Sequence, residues 1–523
     1  MKRILLLLLL ITIFNARGEE SSELYYSIAK VPKGEGSIDS PLEISSLEEL
    51  VWIAKMVNGG ESLTGVYFIQ TKDIDLSPLK GYNENMGWIP IGGYIKTSVG
   101  SEKRGFSGIY DGNNHSIKGL YIDRKEYTYQ GLFGYLYEGV VKNLLVEGAA
   151  VRALENMGIL VAYMYEATID NCHVRASFLQ GDDFYIGGLV GYEASGKIVN
   201  SSAEVEIQDR DYVGGLVGWA EGLLEKCHTA GNIQCSLDEN IDTRYIGGLV
   251  GYLKRGTVSK CGSTSEVTGG SRVGGLIGLA SQAIISESFA ANKSVKGGLY
   301  IGGLIGINEE TPISDCYAHS AVYGDEHVGG LAGYISYSAS VIKRCYSAGK
   351  VTVQNPSLSG GFAGAMSGGS MEYAYWCSDI QGVDKAVGGF NSSEENCNNL
   401  TLEQMKTKES FETWDFSSVW RISEEKNNGF PYLSKTIISN TNEPSQPLKT
   451  VHMHFRSTLL CIESVEPLVH IEVYGINGQM INAMSLDYVD KTAMSMPENL
   501  QQVIVRLTFD DRRVQGYLLL RTD

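Results

Sequence analysis

Apolar residues recur along this chain with a glycine-rich signature rather than with a helical period. Nine variants of the phrase Gly-Gly-Leu-Val-Gly occur between Gly131 and Gly364, and neighbouring copies lie 27 to 33 residues apart. The copies are centred on Leu132, Ile159, Leu189, Leu216, Leu249, Leu276, Leu304, Leu331 and Phe362. A period of this size indicates a repeat array, in which each unit buries its apolar side against its neighbours.

Each repeat contains two or three short apolar strands and lacks helical periodicity. About 29 residues per repeat suit one coil of a right-handed parallel β-helix, because propeller blades are longer and leucine-rich repeats have other signatures. We therefore predict an all-β protein built on about nine such coils. Gly187 and Gly188 either adopt backbone angles that other residues resist or allow another segment to approach closely. Ile186 and Val190 have the opposite strand parity to Leu189, so the sequence leaves undecided which of these side chains point inward.

The chain before the repeats carries a helix signal and several short strands. Ser46 and Glu49 form a capping box ahead of an apolar face that ends at Asn58, which predicts a helix covering the first strand edge. Strands are predicted at 66–69, 88–91 and 108–110.

Five domains or segments are predicted from these patterns. They are a signal peptide over 1–18, a flexible segment over 19–36, a β-helix with an N-terminal helical cap and a closing cap (400–433) over 37–435, a linker over 436–450, and a small antiparallel β-sandwich over 451–523.

An export signal opens the chain. Lys2 and Arg3 precede an eleven-residue apolar run, and Ala16-Arg17-Gly18 supplies small residues where signal peptidase cleaves. Cleavage is expected between Gly18 and Glu19. The run is shorter than the roughly 20 residues that span a bilayer. We therefore predict a protein that is secreted or held at the cell surface, without a transmembrane span.

The chain is acidic, with a formal net charge of −18. This charge argues against nucleic acid and anionic membranes as partners. It is compatible with a neutral ligand or with bound cations, so we expect no cofactor and keep Ca²⁺ open as an alternative.

Cysteines occupy one repeated slot, 11 to 14 residues after the motif centres. They are Cys172, Cys227, Cys261, Cys316 and Cys345. Small residues at one slot predict a structural ladder of buried thiols inside the coils. Disulfides within the pairs 227/261 and 316/345 remain an alternative, since coils lie about 4.8 Å apart, although in-register stacking is wide for that bond.

Catalytic motifs are not recognisable. The eight histidines form no His-Glu-x-x-His pair, and the chain contains neither a Gly-x-Ser-x-Gly elbow nor a phosphate-binding loop. We therefore predict a protein that is not an enzyme.

Aromatic and acidic residues flank the Gly-Gly strand in many repeats. The aromatic residues before this strand are Tyr185, Tyr212, Tyr245 and Tyr300, and Tyr135 follows it. Four further aromatic residues that follow the strand belong to a surface that we predict to bind a ligand. That predicted surface comprises Tyr192, Trp219, Tyr252, Tyr334, Asp183 and Asp211. Rings beside carboxylates could hold sugars. A purely structural ladder and a Ca²⁺ or catalytic site are the alternatives.

The repeats resemble GLUG-motif repeats of bacterial surface proteins, of the type found in Bacteroidetes. The best copies are residues 246–261, 300–317 and 328–346, each with a Gly-Gly-Leu strand followed by the cysteine slot. The resemblance implies a β-helical, exported and surface-displayed protein. It implies no reaction, since such arrays accompany different activities, including IgA-cleaving metallopeptidases.

Residues 471–480, Ile-Glu-Val-Tyr-Gly-Ile-Asn-Gly-Gln-Met, are similar to the C-terminal sorting domain of type IX secretion. The resemblance implies the secretion machinery as a partner, and Gln502 departs from it where a glycine is usual. A sorting role and a related domain without that role both stay open.

Three functions follow as hypotheses. The first is an exported β-helical adhesin or binding scaffold that presents an elongated surface to glycans or to host and matrix proteins. The second is a β-helical polysaccharide hydrolase or lyase, which would need two acids in a groove. The third is a structural surface stalk without a ligand.

Overall fold

A computed structural model describes residues 23–97, 100–181, 183–236, 244–354, 358–389 and 396–434, together with 452–456, 459–475, 480–495, 502–509 and 514–520. The predicted signal peptide and the predicted linker lie outside these residues. The chain divides into two compact units, Met1–Ser439 and Asn440–Asp523.

The first unit is a parallel β-solenoid of about 12 turns, which confirms the predicted β-helical fold. One face is a ten-stranded parallel sheet. Its strands are Phe133–Tyr137, Val161–Tyr165, Val190–Ala194, Val217–Ala220, Val250–Lys254, Ile277–Ser281, Ile305–Glu309, Ala332–Ser336, Ala363–Met366 and Val387–Gly389.

The remaining strands of the solenoid belong to one large sheet that wraps around the other sides of the coils. Strands directly before the ten-stranded sheet are Tyr121–Gln130, Ala150–Gly158, Phe184–Gly187, Asp211–Gly214, Arg244–Gly247, Ser271–Gly274, Leu299–Gly302, Glu326–Gly329 and Ser359–Gly360. The strands of the column that contains Val140–Glu147 are Leu42–Ile44, Tyr67–Gln70, Ile109–Asp111, Val140–Glu147, Thr168–Gln180, Lys197–Val199, Leu223–Glu225, Thr257–Ser259, Ile284–Ser286, Ile313–Ser314, Val341–Lys343 and Ser370–Glu372. Strands that complete the coils are Ile74–Asp75, Ser116–Lys118, Ser202–Asp209, His228–Cys235, Gly262–Ser263, Glu266–Thr268, Phe289–Ala290, Val295–Lys296, Tyr317–Ala318, Val322–Gly324, Tyr346–Ser347, Val351–Val353, Ala374–Trp376 and Cys397–Asn399.

Most coils turn through three corners at which a residue other than glycine has a left-handed backbone. The first corner lies one or two residues before the end of the strand that leads into the ten-stranded sheet. It is occupied by Tyr129, Asn156, Tyr185, Tyr212, Tyr245, Arg272, Tyr300 and His327. The second follows the ten-stranded sheet, and the third precedes the cysteine slot; there Asn143, Asn171 and Asn200 take positive φ. Asparagine tolerates this conformation better than most residues, whereas tyrosine gains nothing from it locally.

The Gly-Gly-Leu-Val-Gly motif spans a bend between two strands and is not a single strand. Phe184–Gly187 ends at the bend, and Val190–Ala194 begins after it in the other sheet. Ile186, Leu189 and Val190 are all fully buried, because the bend resets the alternation of inward and outward side chains. This geometry answers the question of the inward face that parity left open.

Close approach, and not an unusual backbone angle, explains the paired glycines. Gly187 and Gly188 both have ordinary φ values. A methyl group on Gly188 would overlap the carbonyl oxygen of Gly215 in the next coil, and one on Gly187 would overlap that of Val190. Only glycine therefore fits where successive coils stack at this bend.

The cysteine slot is a hydrogen-bonded ladder at the third corner. The Ser201 hydroxyl donates to the carbonyl oxygen of Val199 at 2.7 Å and accepts from the backbone N–H of Cys172 at 3.1 Å. In the same way the Cys227 N–H points to the sulfur of Cys261 at 3.4 Å. The slot therefore takes a small side chain that can both donate and accept, which explains why cysteine and serine alternate there.

All five ladder cysteines are free buried thiols in this structure, and they are Cys172, Cys227, Cys261, Cys316 and Cys345. Burial raises the pKa of the Cys172 thiol to about 12, so the reactive thiolate is scarce at neutral pH. We expect these five thiols to resist a thiol reagent such as DTNB at pH 8 and to react fully in denaturant. Fast labelling of the native chain at these positions would contradict the buried ladder.

The N-terminal part of this unit differs from the prediction in three places. The helix is present as Leu47–Asn58, but Glu49 accepts hydrogen bonds from Ser45 and not from Ser46. The predicted strand 88–91 is wrong, because only an isolated bridge at Ile91 occurs there. The predicted flexible segment is also wrong in its described part, since residues 23–27 are helical and Tyr25 is fully buried.

Short helices and a hairpin complete this unit. They are the α-helices Tyr82–Asn85 and Ser378–Gln381, the 3₁₀ turns Ser77–Gly81, Gln404–Lys406, Lys408–Ser410 and Asn427–Gly429, and the antiparallel hairpin of Gly93–Thr97 with Gly100–Arg104.

Residues 400–434, which we term the strap, run along the side of the coils. The segment includes the antiparallel pair Trp420–Arg421 and Tyr432–Leu433. It covers an outward column of aromatic rings that is buried beneath it, in a cluster separate from the inner core. That column is Phe289, Tyr317, Tyr346 and Tyr375. The predicted closing cap is therefore ordered, but it packs laterally across several coils.

The described strands of the second unit form one five-stranded antiparallel sheet. The predicted antiparallel pairing is confirmed, whereas the second sheet of a sandwich does not occur among these described strands. Its strands are His452–Arg456, Leu459–Gly475, Met480–Ser495, Gln502–Phe509 and Val514–Leu520.

Candidate functional site

Aromatic side chains from two neighbouring columns form a half-exposed band along the coils, which we term the aromatic stripe. One column stands on the ten-stranded sheet and the other occupies the first left-handed corner. The stripe consists of Tyr129, Tyr163, Tyr185, Tyr192, Tyr212, Trp219, Tyr245 and Tyr252.

Strand alternation sets the column on the sheet. Gly191 and Glu193 are buried on the inner side of the strand, so Tyr192 between them faces outward. The parallel register places Tyr163, Tyr192, Trp219 and Tyr252 side by side in four successive coils. Their order follows from the repeat, because each coil repeats the same strand in the same register.

The rings stack on one another along the axis of the solenoid. Tyr163 and Tyr192 have ring centroids 5.0 Å apart, and Tyr192 and Trp219 lie 5.6 Å apart, both nearly parallel. At the corner, Tyr212 and Tyr245 stack at 4.6 Å. Such stacking covers the faces of the inner rings, so the stripe offers a row of ring edges and hydroxyl groups.

One carboxylate and one ammonium group lie among these rings. Glu221 accepts a hydrogen bond from the indole N–H of Trp219 at 3.0 Å and lies 3.5 Å from the Tyr192 hydroxyl. The guanidinium of Arg255 pairs with the same carboxylate at 3.5 Å. Lys254 places its ammonium 5.4 Å from the centre of the Trp219 ring. Polar groups therefore lie within reach of a ligand that contacts Trp219.

Three tyrosine hydroxyl groups of the stripe stay protonated at neutral pH. Burial raises the pKa of Tyr129 and of Tyr212 to about 12. Burial, with Glu221 as the next cause, also raises the pKa of Tyr192. These three residues therefore present neutral hydroxyls, each of which can donate and accept a hydrogen bond.

Tyr334, which we expected on the same surface, lies apart from the stripe. In its column the positions between Tyr252 and Tyr334 are Leu279 and Ile307, both nearly buried. Tyr334 instead packs against Tyr300 at 5.4 Å. The aromatic column is therefore interrupted for two coils.

The two predicted acids have different surroundings. Asp211 is only 5 % exposed, accepts a hydrogen bond from the backbone N–H of Arg244 at 2.6 Å and lies near its guanidinium, so it acts in the frame of the coil. Asp183 is half-buried, and burial raises its pKa. Burial also raises the pKa of Glu155, and the charge of Asp183 adds to that effect. Within the described residues, groups of three or more His, Cys, Asp or Glu that could hold a metal ion do not occur.

Tyr163 is a member of the stripe that the sequence pattern did not reveal. The motif was centred on Ile159, whereas Val161 pairs with Val190, so that Leu160 and not Ile159 corresponds to Leu189. The extra residue in this coil displaced Tyr163 by one position in the pattern. Glu221 was missed because its role depends on the ring of Trp219 beside it.

Comparison with known proteins gives two distant similarities, and no protein-family profile matches the chain. It is 30 % identical over 183 residues to Halomucin of Haloquadratum walsbyi, covering 34 % of this chain and 2 % of Halomucin. It is 29 % identical over 221 residues to a "Putative Gly-rich membrane protein" of Evansella cellulosilytica, covering 41 % of this chain and 23 % of that protein. The chain thus spans a small part of either relative. In the portion of the chain that the structure covers, each helix is too short or too polar to cross a membrane.

Proposed function

We propose that this protein is an exported, surface-displayed binding scaffold whose β-solenoid presents the aromatic stripe to an elongated glycan or extracellular protein. The observation that carries the proposal is the half-exposed row of stacked rings, which continues through successive coils with the same register. Parallel strands lie about 4.8 Å apart, so an extended ligand along the axis would meet one ring in each coil.

Glycans fit the chemistry of the stripe better than charged polymers do. Sugar rings combine apolar C–H surfaces with hydroxyl groups, and the stripe combines ring edges with neutral hydroxyls. Glu221 adds an acceptor, and Lys254 adds a donor beside Trp219. The net charge of −18 disfavours polyanions along most of the surface.

Export and display are supported by three features of the sequence. The first 18 residues have the pattern of a signal peptide. The Gly-Gly-Leu-Val-Gly repeats resemble the GLUG-motif arrays of surface proteins, and residues 471–480 resemble a type IX sorting domain. One distant relative is described as a membrane protein, in agreement with a place at the cell envelope. We propose that the C-terminal unit engages the secretion machinery.

Replacing Trp219 with alanine is expected to reduce retention of the purified chain on a neutral glycan array at least tenfold. The substitution removes the Trp219 ring at the centre of the stripe, together with its contacts to Tyr192, Tyr252 and Lys254. Tyr323→Ala is the matched control, since Tyr323 is 38 % exposed and lies outside the stripe. Equal retention of the two variants would contradict a binding role for the stripe.

A polysaccharide hydrolase or lyase is the second candidate, and Glu155 with Asp183 is the observation in its favour. Burial raises the pKa of both carboxyl groups, and the charge of Asp183 raises the pKa of Glu155 further. Such a pair resembles the two acids of glycoside hydrolysis. The array assay separates the two functions when released reducing ends are measured together with retained protein. Sugar release that disappears in Glu155→Gln would favour the enzyme, and silence in both channels would favour a structural stalk.

A further inference from the structure

The antiparallel hairpin Gly93–Thr97 and Gly100–Arg104 lies over the N-terminal end of the aromatic rings. Tyr94 and Lys103 are directly opposite one another in this hairpin. Tyr94 stacks on Tyr129 at 5.5 Å, which extends the corner column by one ring. Lys103 places its ammonium 5.0 Å from the centre of the Tyr163 ring and 5.9 Å from that of Tyr135. The hairpin therefore ends one column with a ring and the other with a cation.

A cavity of about 460 Å³ opens beside Lys103, between the hairpin and the end of the helix Leu47–Asn58. Its walls include Ser62, Glu102, Lys103, Arg104, Ser107 and Tyr137. The ring of Tyr137 is 38 % exposed, and its partner in the stack is Tyr165 at 5.7 Å in the following coil. A volume of this size holds a sugar residue, and the exposed ring supplies an apolar wall.

The cavity is cationic, although the protein as a whole is acidic. Arg104 is engaged with Glu102 at 3.0 Å and with the carbonyl oxygen of Asn58, so its charge is largely compensated. Lys103 is exposed, and among the described residues it has no carboxylate within ion-pair distance. An ammonium group over aromatic rings at a cavity wall matches a ligand that carries one negative charge.

Gly105 allows the hairpin to lie directly against Tyr135 and Tyr137 at the edge of this cavity. A Cβ atom at that position would lie 2.7 Å from the Cβ of Tyr137 and 3.2 Å from the ring of Tyr135. A larger residue would therefore displace the rings that face the cavity. The hairpin thus approaches the aromatic rings closely while it leaves the adjacent space open.

We infer that this cavity binds an anionic sugar residue, such as a terminal uronic acid, with its carboxylate at Lys103 and its ring against Tyr137. This inference rests on the proposed glycan-binding function and assigns the end of the ligand to the N-terminal end of the stripe. The charge of the site gives the bound polymer a direction, since Lys103 favours a negatively charged residue at this end.

Calorimetry on the full chain tests this site with a disaccharide that ends in glucuronic acid and with its glucose-terminated counterpart. We expect the acidic disaccharide to bind the wild type at least tenfold more tightly, and Lys103→Met to bind both equally. Ser62→Trp, which places an indole in the cavity from an exposed position, is expected to abolish binding of the acidic disaccharide. Lys350→Met, at an exposed site elsewhere, is the matched control.

The outcomes separate this inference from the proposed function. An acidic preference that persists in Lys103→Met would overturn the anionic site, and so would equal competition by acetate. Long neutral glycans that still depend on Trp219 would then leave the proposed function standing. Conversely, a preference that Lys103→Met removes, without any retention of long glycans by the wild type, would keep the site and overturn the binding scaffold.

Discussion

Gly248→Ala is expected to destabilise the solenoid by about 3 kcal/mol, near the upper end of the cost of overpacking a well-packed interior. The added methyl group would overlap the carbonyl oxygen of Gly275 and the hydroxyl of Ser263. Both atoms are held in place by Asn292, whose side-chain amide donates to the carbonyl oxygen of Gly275 and to the hydroxyl of Ser263, each at 3.1 Å. Chemical denaturation followed by circular dichroism measures the loss, provided that the variant is recovered in soluble form.

Gly81→Ala is the control for that experiment. A methyl group there would meet no heavy atom within 4 Å, and the backbone of Gly81 has an ordinary φ of −82°. We expect its stability to stay within about 0.5 kcal/mol of the wild type. If Gly248→Ala were as stable as this control, close stacking at the bend would not be the reason for the paired glycines.

Trp420→Ala is expected to release the strap and to cost about 3 to 5 kcal/mol, as for other fully buried tryptophans. The Trp420 ring is fully buried among Trp414, Tyr317 and Tyr346. Its indole N–H donates to Asp315 at 3.2 Å, and Arg344 also donates to that carboxylate at 2.7 Å. Loss of the ring would leave a large cavity and one fewer hydrogen bond to a buried acid.

Limited proteolysis provides the measurement for this variant, because strap opening exposes residues 400–434 before the coils unfold. New cleavage inside that segment is the expected result, with the ten-stranded sheet still protected. Leu402→Ala is the control, since Leu402 is 38 % exposed on the same segment. A Trp420→Ala chain that resists protease as well as this control does would show that the strap is held mainly by other contacts.

The repeat period was sufficient to predict the parallel β-helix, because coils of constant sequence pattern can bury their apolar residues only by stacking. The same pattern could not reveal the bend inside Gly-Gly-Leu-Val-Gly. Ile186 and Leu189 differ in parity, and a strand with inward residues of both parities is explained only by a change of sheet between them. The alternation of apolar residues predicts side-chain direction within one strand, but it does not predict where the chain bends into the next sheet.

The sequence predicted part of the candidate site, and the residues that it misplaced or missed have separate physical explanations. Tyr192, Trp219 and Tyr252 are brought together because they share a register position, which repeats preserve. Asp211 is buried because it binds a backbone N–H group of the next coil beside a bend. The sequence does not distinguish an acid with that role from an exposed acid. Lys103 lies in a hairpin outside the repeats, so only the folded chain places it over Tyr163.

The left-handed corner gives the aromatic stripe a capacity for change. A residue other than glycine loses roughly 1 to 2 kcal/mol in this backbone conformation, and an aromatic pair returns about 0.5 to 1.5 kcal/mol. A tyrosine there is consequently almost neutral for folding, and Arg272 and His327 occupy the same corner in other coils. Selection could therefore exchange these side chains one coil at a time, and a fixed scaffold could acquire new ligand preferences without a change of fold.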